Sequence, residues 1–294
     1  IAGLFVHCAA DYADLADLAG LPDEAAGARR EAAAMTAAVL EHGWDGDWFV
    51  RAYDFHGNKV GSAECDEGQI YIEPQGYCVM AGIGRETGEA VRALDSVKEI
   101  LDSDHGIVIL QPAYTSYQLE LGEISTYPPG YKENGGIFCH NNPWIAIAET
   151  TVGRNDRAFE VWSRIAPAFR EEISEVHRLV PYAYAQMIAG KDAARHGEAK
   201  NSWLTGTAAW NFVAISQHIL GIKPEFDGLR VQPSLPSHLT DVSVTRRCRD
   251  AEYRITITNT GGGEPRVSVD GQPIDGSIVP YAPAGSTVTV QVTT

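Results

Sequence analysis

The chain is poor in positive charge. Its 294 residues carry 23 Lys and Arg against 39 Asp and Glu, a formal net charge of −16. Nucleic acid and anionic membrane surfaces both call for basic surface, so neither is expected as a main partner. A phosphate-like ligand would have to be held by local donors against that field. Cysteine is sparse and unpatterned: Cys8, Cys65, Cys78, Cys139 and Cys248 are odd in number and contain no CxxC spacing. That argues against a structural metal and for a reducing, hence cytoplasmic, compartment. No apolar run is long enough to span a bilayer. The lysine and glycine spacings of the P-loop and dinucleotide fingerprints are missing too, and no cofactor is expected. No Met precedes Ile1, and an apolar pattern (Ile1, Leu4, Phe5, Cys8, Tyr12, Leu15, Leu18) begins at once, as in a helix already under way. The expectation is the C-terminal part of a longer protein, in which case the lack of a signal peptide is uninformative.

What remains is ordinary globular composition, 44% hydrophobic and 21% charged, in a chain long enough for one large domain or two. The first helix is expected to end near Gly20. A second, Ala-rich helix should start at Pro22-Asp23 and run to His42, with Gly43 as its stop. Trp48 to Val60, WFVRAYDFHGNKV, alternates around a Gly-Asn turn and reads as a hairpin. Helices are expected at about 74–83, 87–102, 142–152, 155–168, 181–190 and 207–220. Sequence-adjacent helix pairs of this kind suggest an α/α toroid or a layered helical domain. After Gly221 the character changes. SVTRRC, YRITITN, RVSVDG and TVTVQVTT are β-branched strand candidates, separated by Gly261-Gly262-Gly263, Asp270-Gly271 and the run from Ala282 to Gly285. The expected fold is therefore mainly α with a β appendage: a helical domain over 1–222 and a small β-sandwich over 223–294, with Lys223 to Pro236 as the passage between them.

Two stretches carry candidate chemistry. Thr126 to Trp144, TYPPGYKENGGIFCHNNPW, sets a Tyr, a Lys, a Glu, an Asn and a His among prolines and glycines, a turn-rich backbone that presents side chains from a stiff scaffold. Asn142 can cap and Pro143 can open a helix there, leaving His140 close to a helix N-terminus. In the second stretch a helix opens at Thr205-Gly206-Thr207, where a hydroxyl and a residue without Cβ leave backbone N–H groups approachable. Either could equally be a plain surface loop and a plain threonine cap.

Taken together the blocks are more specific. ECDEGQIYIEPQGYCVMAGIG (64–84), YPPGYKENGGIFCHNNPW (127–144), PYAYAQMIAG (181–190) and NSWLTGTAAW (201–210) occur in that order. On them the chain resembles the C-terminal part of the inverting disaccharide phosphorylases related to cellobiose and chitobiose phosphorylase, and within that family the cellobiose enzymes most. The resemblance implies a six-fold α/α barrel followed by a small β-sandwich (jelly-roll-like), and commonly a homodimer. It implies phosphorolysis of cellobiose to α-glucose 1-phosphate and glucose, with phosphate as a substrate. By the same resemblance His140, Thr205 and Gly206 match phosphate contacts, Tyr127, Lys132 and Glu133 line the acceptor sugar, and Gln186 contacts the donor sugar. The general-acid Asp would lie before Ile1, in an N-terminal part of the same enzyme, so this chain holds no catalytic acid and no metal site.

The chemistry suits these residues. An inverting hydrolase needs an acid and a base, whereas phosphate is already an anion and needs a cradle plus one acid. Two other readings stay open: a hydrolase on the same barrel, with Glu133 as acid and Glu123 or Asp66 as base, and a non-catalytic carbohydrate-binding segment.

Overall fold

A computed structural model describes residues 1–294. Helix α1 (Ala2–Leu18) packs on α2 (Pro22–His42) and on α3 (Ile72–Met80). The contact face of α1 is its row of small residues, Gly3, Val6, Ala9, Ala13 and Ala16. Gly3 is needed there, because a Cβ would stand 2.8 Å from the backbone of Tyr77 and Cys78. The bulkier apolar stripe seen in the sequence points the other way: Leu4, Phe5, Tyr12, Leu15 and Leu18 are exposed. Both ends of α2 fall where Pro22 and Gly43 put them.

The hairpin forms as expected from β1 (Ala52–Tyr53) and β2 (Lys59–Val60). Asp54 closes its turn by accepting the N–H groups of His56 and Asn58, each at 2.8 Å. β3 (Ile70–Tyr71) leads into α3 and pairs with β4 (Leu110–Gln111). Between them α4 (Glu89–Ser96) widens into a π-type turn over Val97–Leu101. β5 (Ile137–Phe138) then precedes α5 (Asn142–Thr151), whose residues from Asn142 to Glu149 are all buried. α6 (Asn155–Ile165) packs on α5, and the short α7 (Ser174–His177) follows. One apolar core holds this region together, with Ile70, Leu94, Leu110, Ile137 and Ile145 fully buried in it.

The segment 181–190 corrects the expectation. It is not helical but contains β6 (Ala185–Ile188), which lies between β5 and β7 (Ala199–Ser202) in a three-stranded antiparallel sheet. Ala, Gln and Met favour helix when taken alone. Here two flanking strands offer partners for the N–H and C=O groups of the segment, and that tertiary pairing outweighs propensity. Helix α8 (Thr207–Val213) opens at the expected place and continues as a π-type turn over Ala214–Ile219.

The remaining chain builds two sheets over a second, separate core. β8 (Ile222–Pro224) and β9 (Gly228–Val231) form one of them with a later strand, so the stretch after Gly221 is not a simple passage but part of the β structure. The rest are β10 (Asp241–Cys248), β11 (Ala251–Thr258), β12 (Arg266–Val269), β13 (Gln272–Ile274), β14 (Ile278–Pro280) and β15 (Thr287–Thr293). The five-stranded sheet runs β10-β11-β15-β12-β13 and the three-stranded one β14-β9-β8. Alternation sets the inner face: Tyr253, Ile255 and Ile257 on β11 and Val288, Val290 and Val292 on β15 are buried. Asp270 and Gly271, at φ +48° and +80°, make the tight turn between β12 and β13 that their dipeptide predicts.

Candidate active site

Strand β6 organises the site. The Cys139 N–H donates to the Gln186 carbonyl at 3.0 Å, and the Thr207 hydroxyl donates to the Ala185 carbonyl at 3.1 Å. The residue before His140 and the first residue of α8 are therefore tied to consecutive residues of one strand. A chain of edge-to-face rings repeats the link: His140 to Trp144 at 5.5 Å, and Trp144 to Trp210 at 5.7 Å, one turn into α8. The glycine-rich connector and the start of α8, 65 positions apart from His140 to Thr205, are thus both joined to β6 and linked to each other through the rings of Trp144 and Trp210.

At the helix start Thr205 already has a task. Its Oγ1 accepts the Thr207 N–H at 3.1 Å and lies 2.6 Å from the Thr207 hydroxyl. Gly206 takes the N-cap place at an unexceptional φ of −79°. Nothing lies within 4 Å of where its Cβ would be, so packing does not require a glycine there. His140 is partly buried, and that burial pulls its pKa below the ordinary histidine value. The imidazole is thus neutral at pH 7, with one N–H to donate.

The other predicted polar residues divide. Lys132 Nζ and Asn201 Nδ2 both donate to Gln186 Oε1, at 3.0 and 2.9 Å, so the Gln186 carbonyl end is occupied and its NH2 end is left for a ligand. Lys132 sits at φ +51°, inside a turn held by buried Asn134. Asn134 Nδ2 donates to the carbonyls of Tyr114 and Tyr127 at 2.8 and 2.7 Å, and its Oδ1 accepts the Tyr114 N–H at 2.7 Å. Tyr127 is fixed by its backbone, while its hydroxyl donates to Glu123 at 3.1 Å rather than meeting Lys132 or Gln186. Glu133 has a buried Oε2 with no hydrogen-bond partner. Asp66 lines a separate cleft of about 260 Å³ with Glu67 and Tyr114, and Glu133 does not reach it.

Asn142 departs from its expected role. It lies inside α5 and caps nothing. Its fully buried amide accepts the Ile107 N–H at 2.8 Å and donates to the carbonyls of Ile107 and Phe138, at 3.0 and 3.1 Å. It thereby rivets the 102–109 loop to the end of β5, two residues before His140. Sequence reading passed over Asn134, Asn142 in this role, and Asn201. An asparagine inside a Gly-rich or Pro-flanked block was the available signal, since its amide can satisfy two backbone groups at once.

His140 also lines a larger cleft of about 510 Å³. Its walls are mainly apolar and include Trp144, Tyr77 and Ile1, with Arg51 and Glu73 among them. Glu73 is 3.6 Å from Arg51 and keeps one unpartnered oxygen; burial raises its pKa, with Arg51 opposing. Of the predicted contacts only His140 reaches this cleft.

Residues 1–221 match the family model described as the glycosyl hydrolase 94 superfamily, catalytic domain. The chain is 37% identical over 260 residues to solabiose phosphorylase of Paenibacillus borealis, covering 87% of this chain and 34% of that protein. It is 36% identical over 278 residues to N,N'-diacetylchitobiose phosphorylase of Vibrio proteolyticus, covering 92% of this chain and again 34% of the relative. The chain thus spans about a third of the length of these curated relatives. Among solved structures, one described as a sialidase superposes with a TM-score of 0.55 at 12% identity, over 80% of this chain and 21% of the other, a likeness of fold alone. With its helical region matched throughout, the chain belongs to the glycosyl hydrolase 94 superfamily through that family's catalytic domain.

Proposed function

We propose that this chain is the C-terminal portion of an inverting disaccharide phosphorylase, with residues 1–222 completing a six-fold α/α barrel and residues 223–294 forming the β-sandwich behind it. The observation that carries this reading is the double tie of Ala185 and Gln186 to Cys139 and Thr207. It joins the segment that carries the imidazole, and the hydroxyl-rich helix start, to the strand that carries the one glutamine expected to touch sugar. The outward apolar stripe of α1 and the cleft beside Ile1 suit packing against further helices of the same barrel.

In this reading His140, Thr205 and Gly206 hold phosphate. Neutral His140 donates one N–H; a dianion beside it favours the charged form and a second donor. The open space at Gly206 admits the oxyanion to the backbone. Gln186 turns its free NH2 towards the donor sugar. Lys132, Glu133 and Tyr127 line the acceptor subsite, with Lys132 presented by its left-handed turn. Phosphate attacks the anomeric carbon from the face opposite the leaving sugar, while an aspartic acid outside this chain protonates the departing oxygen, and the configuration inverts. The substrate proposed is cellobiose, giving α-glucose 1-phosphate and glucose, in a cytoplasmic homodimer. The two relatives above are named for solabiose and N,N'-diacetylchitobiose, so glucose at the donor site and acceptor identity rest on the sequence resemblance. The alternative, a hydrolase with Glu133 as acid and Glu123 or Asp66 as base, differs from this reading in needing no phosphate.

The test uses the enzyme complete with its N-terminal part. Replacing His140 by Ala should weaken phosphate and α-glucose 1-phosphate at least tenfold, about 1.4 kcal/mol, and cellobiose much less. Equal losses for all three would remove His140 from the cradle, and reducing sugar released in phosphate-free buffer would make the enzyme a hydrolase.

A further inference from the structure

Just beyond one end of the β6–β7 ladder stand two aromatic side chains that the fold leaves out of its core. Tyr182 precedes β6 and is 73% exposed; Trp203 follows β7 and is 71% exposed. Their ring centroids are 6.2 Å apart with the planes at 54°. Aromatic rings are among the most favourable side chains to bury, and leaving two of them side by side in solvent is a loss that nothing within the chain recovers.

The backbone supplies an independent observation. Trp203 lies at φ +69° and Asn201 at φ +54°. The left-handed region is tolerable for asparagine but a genuine outlier for a residue as bulky as tryptophan. Such strain persists where surrounding structure insists on it, commonly at ligand clamps. Asn201 lies near the end of β7, and Trp203 opens the short connector from β7 to Thr205 and Gly206. The two outliers do different things: Asn201 reaches Gln186 Oε1 at 2.9 Å, whereas Trp203 stays in the open beside Tyr182.

Register places this pair next to the polar set. Ala185 pairs with Ser202, so Tyr182 and Trp203 extend the same end of the ladder on which Gln186, Asn201 and Lys132 converge. An apolar plate beside a group of amide and ammonium donors matches one ligand chemistry well. A pyranose with equatorial substituents has a flat face of axial C–H bonds and a rim of hydroxyls; the face stacks on an aromatic ring while the rim takes hydrogen bonds. A protein partner would use the plate but not the row of hydroxyl-seeking groups behind it.

We propose that Tyr182 and Trp203 form an aromatic platform that stacks a pyranose ring adjoining the one contacted by Gln186. The platform sets how well the site holds a sugar, and it rests on the reading of Gln186 as a sugar contact. Neither residue touches the reacting atoms.

The experiment titrates the enzyme complete with its N-terminal part with cellobiose and separately with inorganic phosphate, by calorimetry, and records saturation transfer from aromatic protons to the sugar. Trp203→Ala and Tyr182→Ala should each weaken cellobiose about tenfold and leave phosphate affinity and Tm unchanged, since both side chains are exposed. Trp203→Phe should recover most of the affinity. In the unsubstituted chain, transfer should be strongest to the axial C–H protons of one ring. Cellobiose affinity that is equal in all four proteins, transfer spread evenly over the sugar, or no cellobiose binding at all would overturn the proposal. Absence of phosphate binding with the cellobiose results intact would instead overturn the phosphate cradle and leave the platform standing.

Discussion

The helical region before Gly221 and the β region after it treat polar groups in opposite ways. In the β region the buried residues are one apolar cluster, and the only non-glycine residues at positive φ, Arg249, Asp250 and Asp270, sit in hairpin turns where that conformation belongs. The helical region buries asparagines, a glutamine and two glutamates, and it holds all but one of the buried side-chain atoms that lack a partner. Its positive-φ outliers include Lys132, Asn201 and Trp203, all around β6. Unpaired polar atoms and strained backbone cost stability, and they persist where they serve something other than stability. The β region is built to stay folded and the helical region to present groups.

The largest effect should come from Asn142→Ala. It strands the Ile107 N–H and carbonyl in the core, and two unmet buried groups cost on the order of 3 kcal/mol. Denaturant unfolding should show that loss, with any residual phosphate binding lost alongside it. A mild effect would mean the 102–109 loop and the end of β5 are held together by something else. Tyr253→Phe is the matching test in the β region. Its hydroxyl accepts the Ala282 N–H at 2.9 Å inside the second core, so removal should cost about 1–2 kcal/mol and leave phosphate and sugar binding untouched. Loss of binding in that variant would break the division of labour.

A pH effect ranks next. His177 is buried and its pKa is lowered to about 4, first by burial and then by Arg170 and His105. His218 is lowered to about 4 likewise, by burial and then by Lys223 and His7. The unfolded chain charges these histidines near pH 6.5 and the folded chain only near 4, so the unfolded state binds more protons in between. Stability is therefore full above about pH 6.5 and falls as pH drops towards 4. One such group contributes a slope of ~1.4 kcal/mol per pH unit. His177→Gln should flatten the curve in that window; an unchanged slope would show that His177 is not buried in its neutral form. The smallest stability effect belongs to Gly206→Ala, within about 0.5 kcal/mol, because the position has free space and a negative φ. Phosphate affinity should nevertheless fall, which separates a ligand role from a packing role.

Much of this architecture could be read in advance, for physical reasons that also explain the failures. Pro22, Gly43 and Asp270-Gly271 act locally, and their elements begin and end accordingly. The α1 stripe was visible, but its direction was not: periodicity finds an apolar face without saying whether a row of glycine and alanine packs more closely behind it. β6 was misread because its pairing partners lie about fifty and about fourteen residues away, beyond the reach of local propensity. The stretch after Gly221 was misread for a similar reason, since β9 pairs with β14 across most of the β region. That His140 should act together with Thr205 and Gly206 is an expectation from family resemblance alone; nothing local in either stretch signals the other. Asn134 and Asn201, which fix Tyr127 and Gln186, look like ordinary loop polars until the backbone groups they satisfy are seen.

The account turns on whether one oxyanion sits between the glycine-rich connector and the opening of α8. The most direct measurement is a crystal structure of the enzyme complete with its N-terminal part, with inorganic phosphate. Phosphate density within hydrogen-bond distance of both the His140 imidazole and the Thr205–Gly206 turn is the predicted result. An anion bound to only one of them, or a separation too wide for a single phosphate to bridge, would contradict it.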